Sequence, residues 1–157
     1  MATFEELFIR RSGPVESEAR ELAEALGMTL AEHEGRTYLS RAALDGNGTV
    51  GGEVSRNQFV YTEPDDGVQA FDGYDTVFSI WTSERSSAKQ SSEALHIFQE
   101  LVLKRPDTAM VLTHDLDLIV TAYAPERGAH EFPDGTTVDA DDETVWRPWV
   151  VSPNQIP

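Results

Sequence analysis

The chain has 157 residues, 28 acidic against 12 basic side chains for a formal charge of −16, and no cysteine. A field of that sign repels phosphate backbones and anionic membranes, so neither nucleic acid nor a membrane surface is an expected partner. The missing thiols exclude a disulfide framework, a thiolate zinc site and a cysteine nucleophile.

At this length one domain is the default, burying about two-thirds of the unfolded surface. Residues 1–151 are expected to form it, with 152–157 as a frayed tail, since Pro148, Pro153 and Pro157 crowd the end of the sequence. The opening Met1-Ala-Thr-Phe-Glu-Glu-Leu7 lacks the basic-then-apolar pattern of a signal peptide. No apolar run approaches the roughly 18 residues of a membrane span. The expectation is a soluble cytoplasmic protein.

Phe4–Arg10 reads as a first strand. Ser12-Gly-Pro14 opens a helix in which Val15, Ala19, Leu22, Ala23 and Leu26 form an apolar stripe and Gly27 a left-handed C-cap. The opposite face, Glu16, Glu18, Arg20, Glu21 and Glu24, is expected to be solvated. Met28–Glu34 offers a short strand. Residues 36–61 resemble a β-hairpin, with strands at Arg36–Ala42 and Gly51–Tyr61 around the turn cluster Asp45-Gly-Asn-Gly-Thr49. A second turn follows at Glu63–Gly67. Asp75–Trp81 alternates with large residues on both sides, which predicts a central strand covered on both faces and Trp81 in the core.

A second, longer helix follows. Ser87 with Gln90 has the form of a capping box, and Ala88, Ala94, Leu95, Phe98, Leu101 and Val102 recur on one face. Lys104 and Arg105 suit the negative end of the helix dipole, and Pro106 ends it. Thr108–Thr113 and Leu118–Tyr123 are apolar, β-rich runs joined by the polar turn His114-Asp-Leu-Asp117. After that, Ala124–Gly135 is turn-rich, Thr136–Val138 a brief strand, and Val145–Val151 closes the ordered region. The fold expected is α+β: a two-layer sandwich of two main helices on one mixed or mostly antiparallel sheet, in the order β-α-β-β-β-α-β-β.

Few residues carry recognisable chemistry. His114, Asp115 and Asp117 could contribute to a divalent-metal or enzymatic site, although their place between two strands also suits a plain hairpin turn. Asp45-Gly-Asn-Gly-Thr49 mimics the start of a calcium loop but has Val50 and Arg56 where glycine and a bidentate glutamate are needed. His33, His96 and His130 stand in unrelated contexts. No nucleophile elbow, P-loop, dinucleotide fingerprint or cofactor motif occurs, so no catalytic residue, metal ligand or cofactor is assigned.

The densest acidic cluster, Asp139, Asp141, Asp142 and Glu143, stands directly before Trp146-Arg-Pro-Trp149. Acids would steer a cationic protein toward the surface, and Trp146 or Trp149 would anchor it. In class, a small acidic cysteine-free α+β domain resembles immunity and antitoxin-type inhibitors. The resemblance implies a basic protein partner, such as a toxin, neutralised by charge-complementary docking. Three alternatives stand beside it: acidity serving only solubility or salt tolerance, a metal-dependent protein using the His114 turn, and a self-associating structural protein whose aromatic C-terminal strand, Val145–Val151, forms a homodimer contact.

Overall fold

The computed structural model of the chain describes residues 4–10, 13–59 and 68–152. The expected turn at Glu63–Gly67, the Ser12 helix start and the tail beyond residue 152 lie outside them. Strand β1 (Glu5–Ile9) runs through the middle of one antiparallel sheet of eight strands. It pairs on one side with β5 (Thr76–Thr82) and on the other with β6 (Met110–His114). Outward from β5 lie β4 (Thr49–Arg56), β3 (Arg36–Ala42) and β2 (Thr29–His33). Outward from β6 lie β7 (Leu118–Ala124) and β8 (Gly128–Glu131).

Two helices connect these strands and cover one face. Helix α1 (Val15–Leu26) starts after Pro14, whose φ of −65° suits a helix start, and ends at Gly27 with φ 64°. Helix α2 (Ser87–Lys104) is capped by Ser86, whose Oγ accepts from the Lys89 amide at 3.1 Å. The cap is thus one residue earlier than the Ser87 box expected. Gln90 serves a different end, its Oε1 accepting from the Thr82 amide at 3.2 Å and tying the helix to β5. Ala88 lies exposed, whereas Ala94, Ile97, Phe98 and Leu101 are buried. These meet Leu22, Leu26, Leu7, Ile9, Phe78, Ile80 and Leu112 in the main core.

Among the described residues, the second core covers the other face over its β1–β6–β7 half. There Phe71 and Tyr74 from the β4–β5 connection, with Phe132, Val138 and Trp146, enclose Phe8, Val77, Val111 and Ile119. Phe8 and Phe71 stack at 4.4 Å. The expected α+β fold with an antiparallel sheet is therefore present, but the sheet is larger, the strand order differs, and a second core lies beneath the chain's last turns.

Three local expectations are corrected. Glu18 is not solvated: it is 2% exposed and ion-paired to Arg105 at the end of α2. Trp81 is not core, being 39% exposed, because the covering on its face stops short of the end of β5. Val145–Val151 is not a strand. A 3-10 turn at Ala140–Asp142, a one-turn helix α3 (Glu143–Trp146) and a second 3-10 turn at Arg147–Trp149 occupy this stretch, which the Pro148 ring, lacking an N–H, suits better than a sheet ladder.

Candidate functional site

The residues expected to bind a partner divide between surface and scaffold. Asp139 and Asp141 are exposed. Asp142 is instead structural: its Oδ2 accepts from the Thr137 amide at 2.7 Å and from the Thr137 hydroxyl at 2.9 Å, and these bonds hold its carboxyl below the usual range. Glu143 accepts from Arg147 Nη2 at 2.5 Å, one helical turn on. Trp146 cannot anchor a partner, because its ring is fully buried and its Nε1 donates to the Asp139 carbonyl at 3.1 Å. Trp149 is half-buried, stacked on His130 at 4.2 Å with the Arg127 guanidinium 5.8 Å from its ring centre. Of the expected set, Asp139 and Asp141 are exposed, and Glu143 and Trp149 are partly so.

The His114 turn becomes part of a different constellation. Asp115 and Leu116 take positive φ (53° and 59°) to close the β6–β7 hairpin. Asp117 stays exposed on the turn, while His114 folds back toward the sheet. Its Nδ1 lies 2.7 Å from Glu5 Oε1 and its Nε2 3.4 Å from Asp115 Oδ2. The Ser91 hydroxyl donates to the same Glu5 oxygen at 2.9 Å. The result is a polar knot joining β1, β6 and α2. Among the described residues no group of three His, Cys, Asp or Glu side chains is placed to hold a metal ion.

Neighbouring Glu6 points to the opposite face of β1. It is 4% exposed, and the Ser79 hydroxyl donates to its carboxylate. Burial pushes its carboxyl from 4.5 up to about 7, an effect that the Ser79 bond opposes and the charges of Glu5, Asp115 and Glu53 reinforce. Burial likewise raises Glu5, against its bonds to His114 and Ser91. A carboxyl whose folded pKa exceeds its unfolded one binds its proton more tightly in the fold. Glu6 therefore removes stability as pH climbs from about 4.5 to about 7. Glu6→Gln is expected to flatten that slope and to leave the protein about 2–3 kcal/mol more stable than the parent near pH 8. Urea unfolding on either side of the window tests it; an unchanged slope would locate the titration elsewhere.

Glu6 also marks a boundary. Across β1, β5, β4 and β3 it aligns with Ser79, Glu53 and Tyr38. One row beyond, Trp81 pairs with Gly51, and continuing the β1–β5 register by one residue sets Phe4 opposite Trp81. Phe4 is 51% exposed. Among the described residues the sheet thus presents a strip with Phe4 and Trp81 exposed beside Glu53 and the buried Glu6. The strip's acids are Glu6 and Glu53, and Glu6, set within the otherwise apolar run that follows Glu5, is the one signal in the sequence that could have drawn attention to it. No protein-family model matches the chain, and searches of curated proteins and of solved structures return no match.

Proposed function

We propose that this chain is a small acidic protein-binding domain of the cytoplasm that captures a basic protein, in the manner of an immunity- or antitoxin-type inhibitor. The observation that carries the reading is how the cations are used. Lys89 Nζ sits among Asp45, Glu84 and the Asn47 carbonyl, and Lys104 Nζ donates to the Ala25 carbonyl. Arg41 binds Glu100 and the Leu26 carbonyl, while Arg105 and Arg147 pair with Glu18 and Glu143. Five of the twelve cations are engaged internally in this way, which leaves the exposed Arg20, Arg36, Arg56, Arg85 and Arg127 against a large excess of acids and a formal charge of −16. Such a field accelerates encounter with a cationic protein and weakens with salt.

Asp139 and Asp141 steer in this reading, and the half-buried Trp149 contributes contact area at their edge. Tagged protein incubated with extract of its native host at low and high salt should retain a basic protein only at low salt. Against that protein, Asp139→Asn with Asp141→Asn is expected to slow association a few-fold and flatten its salt dependence, with dissociation little changed. Retention of acidic proteins, or retention indifferent to salt, would overturn the reading.

A further inference from the structure

We propose that the strip of sheet around Trp81 is the docking surface of this protein, and that it receives an arginine side chain carried by a basic protein partner. The proposal rests on the charge-capture reading and adds an anchoring contact to the steering acids Asp139 and Asp141. Among the described residues, all three exposed aromatic side chains, Phe4, Phe59 and Trp81, fall on this side of the central strands. Phe59 meets the edge of Phe8 at 6.3 Å, where the covered half of the face begins. Trp81 and Phe4 lie at the other end, with Glu53, Ser79 and Glu6 between.

A partly exposed indole, Trp81, with the partly exposed carboxylate of Glu53 in the next row of the sheet is matched to a guanidinium. The planar cation stacks on the ring and still presents its N–H fork to an acid alongside. At the strip's edge Arg36 Nη1 approaches Glu53 at 3.9 Å, too far for a tight pair and open to replacement by a better-placed guanidinium. An ammonium offers no plane to stack. A second copy of this chain is disfavoured as the occupant, because two surfaces from chains of formal charge −16 repel. A cationic partner meets no such barrier.

The test uses an arginine-rich synthetic peptide and a lysine-rich one of equal length and charge, titrated into the full chain and followed by calorimetry and tryptophan fluorescence. The arginine peptide is expected to bind about tenfold more tightly than the lysine peptide. Trp81→Ala and Glu53→Gln should each abolish that preference while leaving the salt-dependent attraction shared by both peptides. Glu53→Gln keeps shape and packing, so it decides the matter should Trp81→Ala lower the melting temperature. Equal affinity of the parent for the two peptides, or a preference that survives both substitutions, would overturn the arginine surface and leave charge capture standing. Failure of the parent to bind either peptide at low salt would overturn both.

Discussion

Replacing Gly52 by alanine is expected to destabilise the protein by about 3–5 kcal/mol and to lower its melting temperature by roughly 10 °C. Gly52 lies within β4, paired with Leu39 on β3 and Ile80 on β5. A Cβ at this position would fall 1.7 Å from the Ser79 carbonyl oxygen and 3.2 Å from the Ile80 Cα. Both are backbone atoms of a hydrogen-bonded neighbour, so no rotamer change relieves the overlap and the β4–β5 ladder must separate. Gly51 is equally confined on the other side, with the Leu39 carbonyl oxygen 2.1 Å from its notional Cβ. Gly46→Ala provides the contrast. Gly46 has φ 79° in the β3–β4 turn with nothing within 4 Å, so alanine there meets only the left-handed backbone cost of about 1 kcal/mol. Urea unfolding of both variants decides: a Gly52 cost no larger than that of Gly46 would show that the strands part without penalty.

Glu18→Ala should cost about as much, about 3–5 kcal/mol, for an electrostatic reason. Glu18 on α1 pairs with Arg105, the residue that ends α2, and both side chains are almost withdrawn from water. Arg105 Nη2 already lacks a hydrogen-bond partner. Deleting the carboxylate would leave the guanidinium in the seam between the helices without the one carboxylate it is paired with among the described residues. Because the penalty comes from the orphaned partner, a second change should repair most of it: Glu18→Leu combined with Arg105→Met is expected to unfold close to the parent. A single-variant cost below about 1 kcal/mol, or a double variant no better than the single, would mean that the pair contributes through something other than mutual compensation.

The helices and the ends of α1 were legible because the signals are local, whereas the cap of α2 fell on Ser86 and not on the expected Ser87. Gly27 and Pro14 bracket α1, and Phe98 and Leu101 recur at helical spacing in α2. The hairpin strands Arg36–Ala42 and the apolar runs around His114 were legible for the same reason. Strand β8 was not, since Gly128-Ala-His-Glu131 has neither alternation nor β-branched residues and is held only as an edge partner of β7. Glu18 sat in a row of acids that differ only in which one a distant arginine reaches. The exposure of Trp81 depended on where a covering segment ends, and nothing in Asp75–Trp81 itself encodes that. Likewise the acids at 139–143 read as one cluster, although Asp142 is committed to Thr137 and Trp146 to the interior. Local chemistry named the candidates; tertiary contacts decided which of them face solvent.

Strand β1 has a consequence for how the molecule is made. It precedes both of its partners in the sequence, yet Glu5 pairs with Ile80 and with His114. Strands β2 to β5 are sequential neighbours, as are β6 to β8, so each group can zip by short-range steps. Seating β1 between them requires two long loop closures, which makes it the slow event of folding. A chain emerging from the ribosome cannot complete its sheet until His114 has been synthesised. β1 waits unpaired only until β5 has been made; from then until β6 follows, its second edge stays open to pairing with other chains.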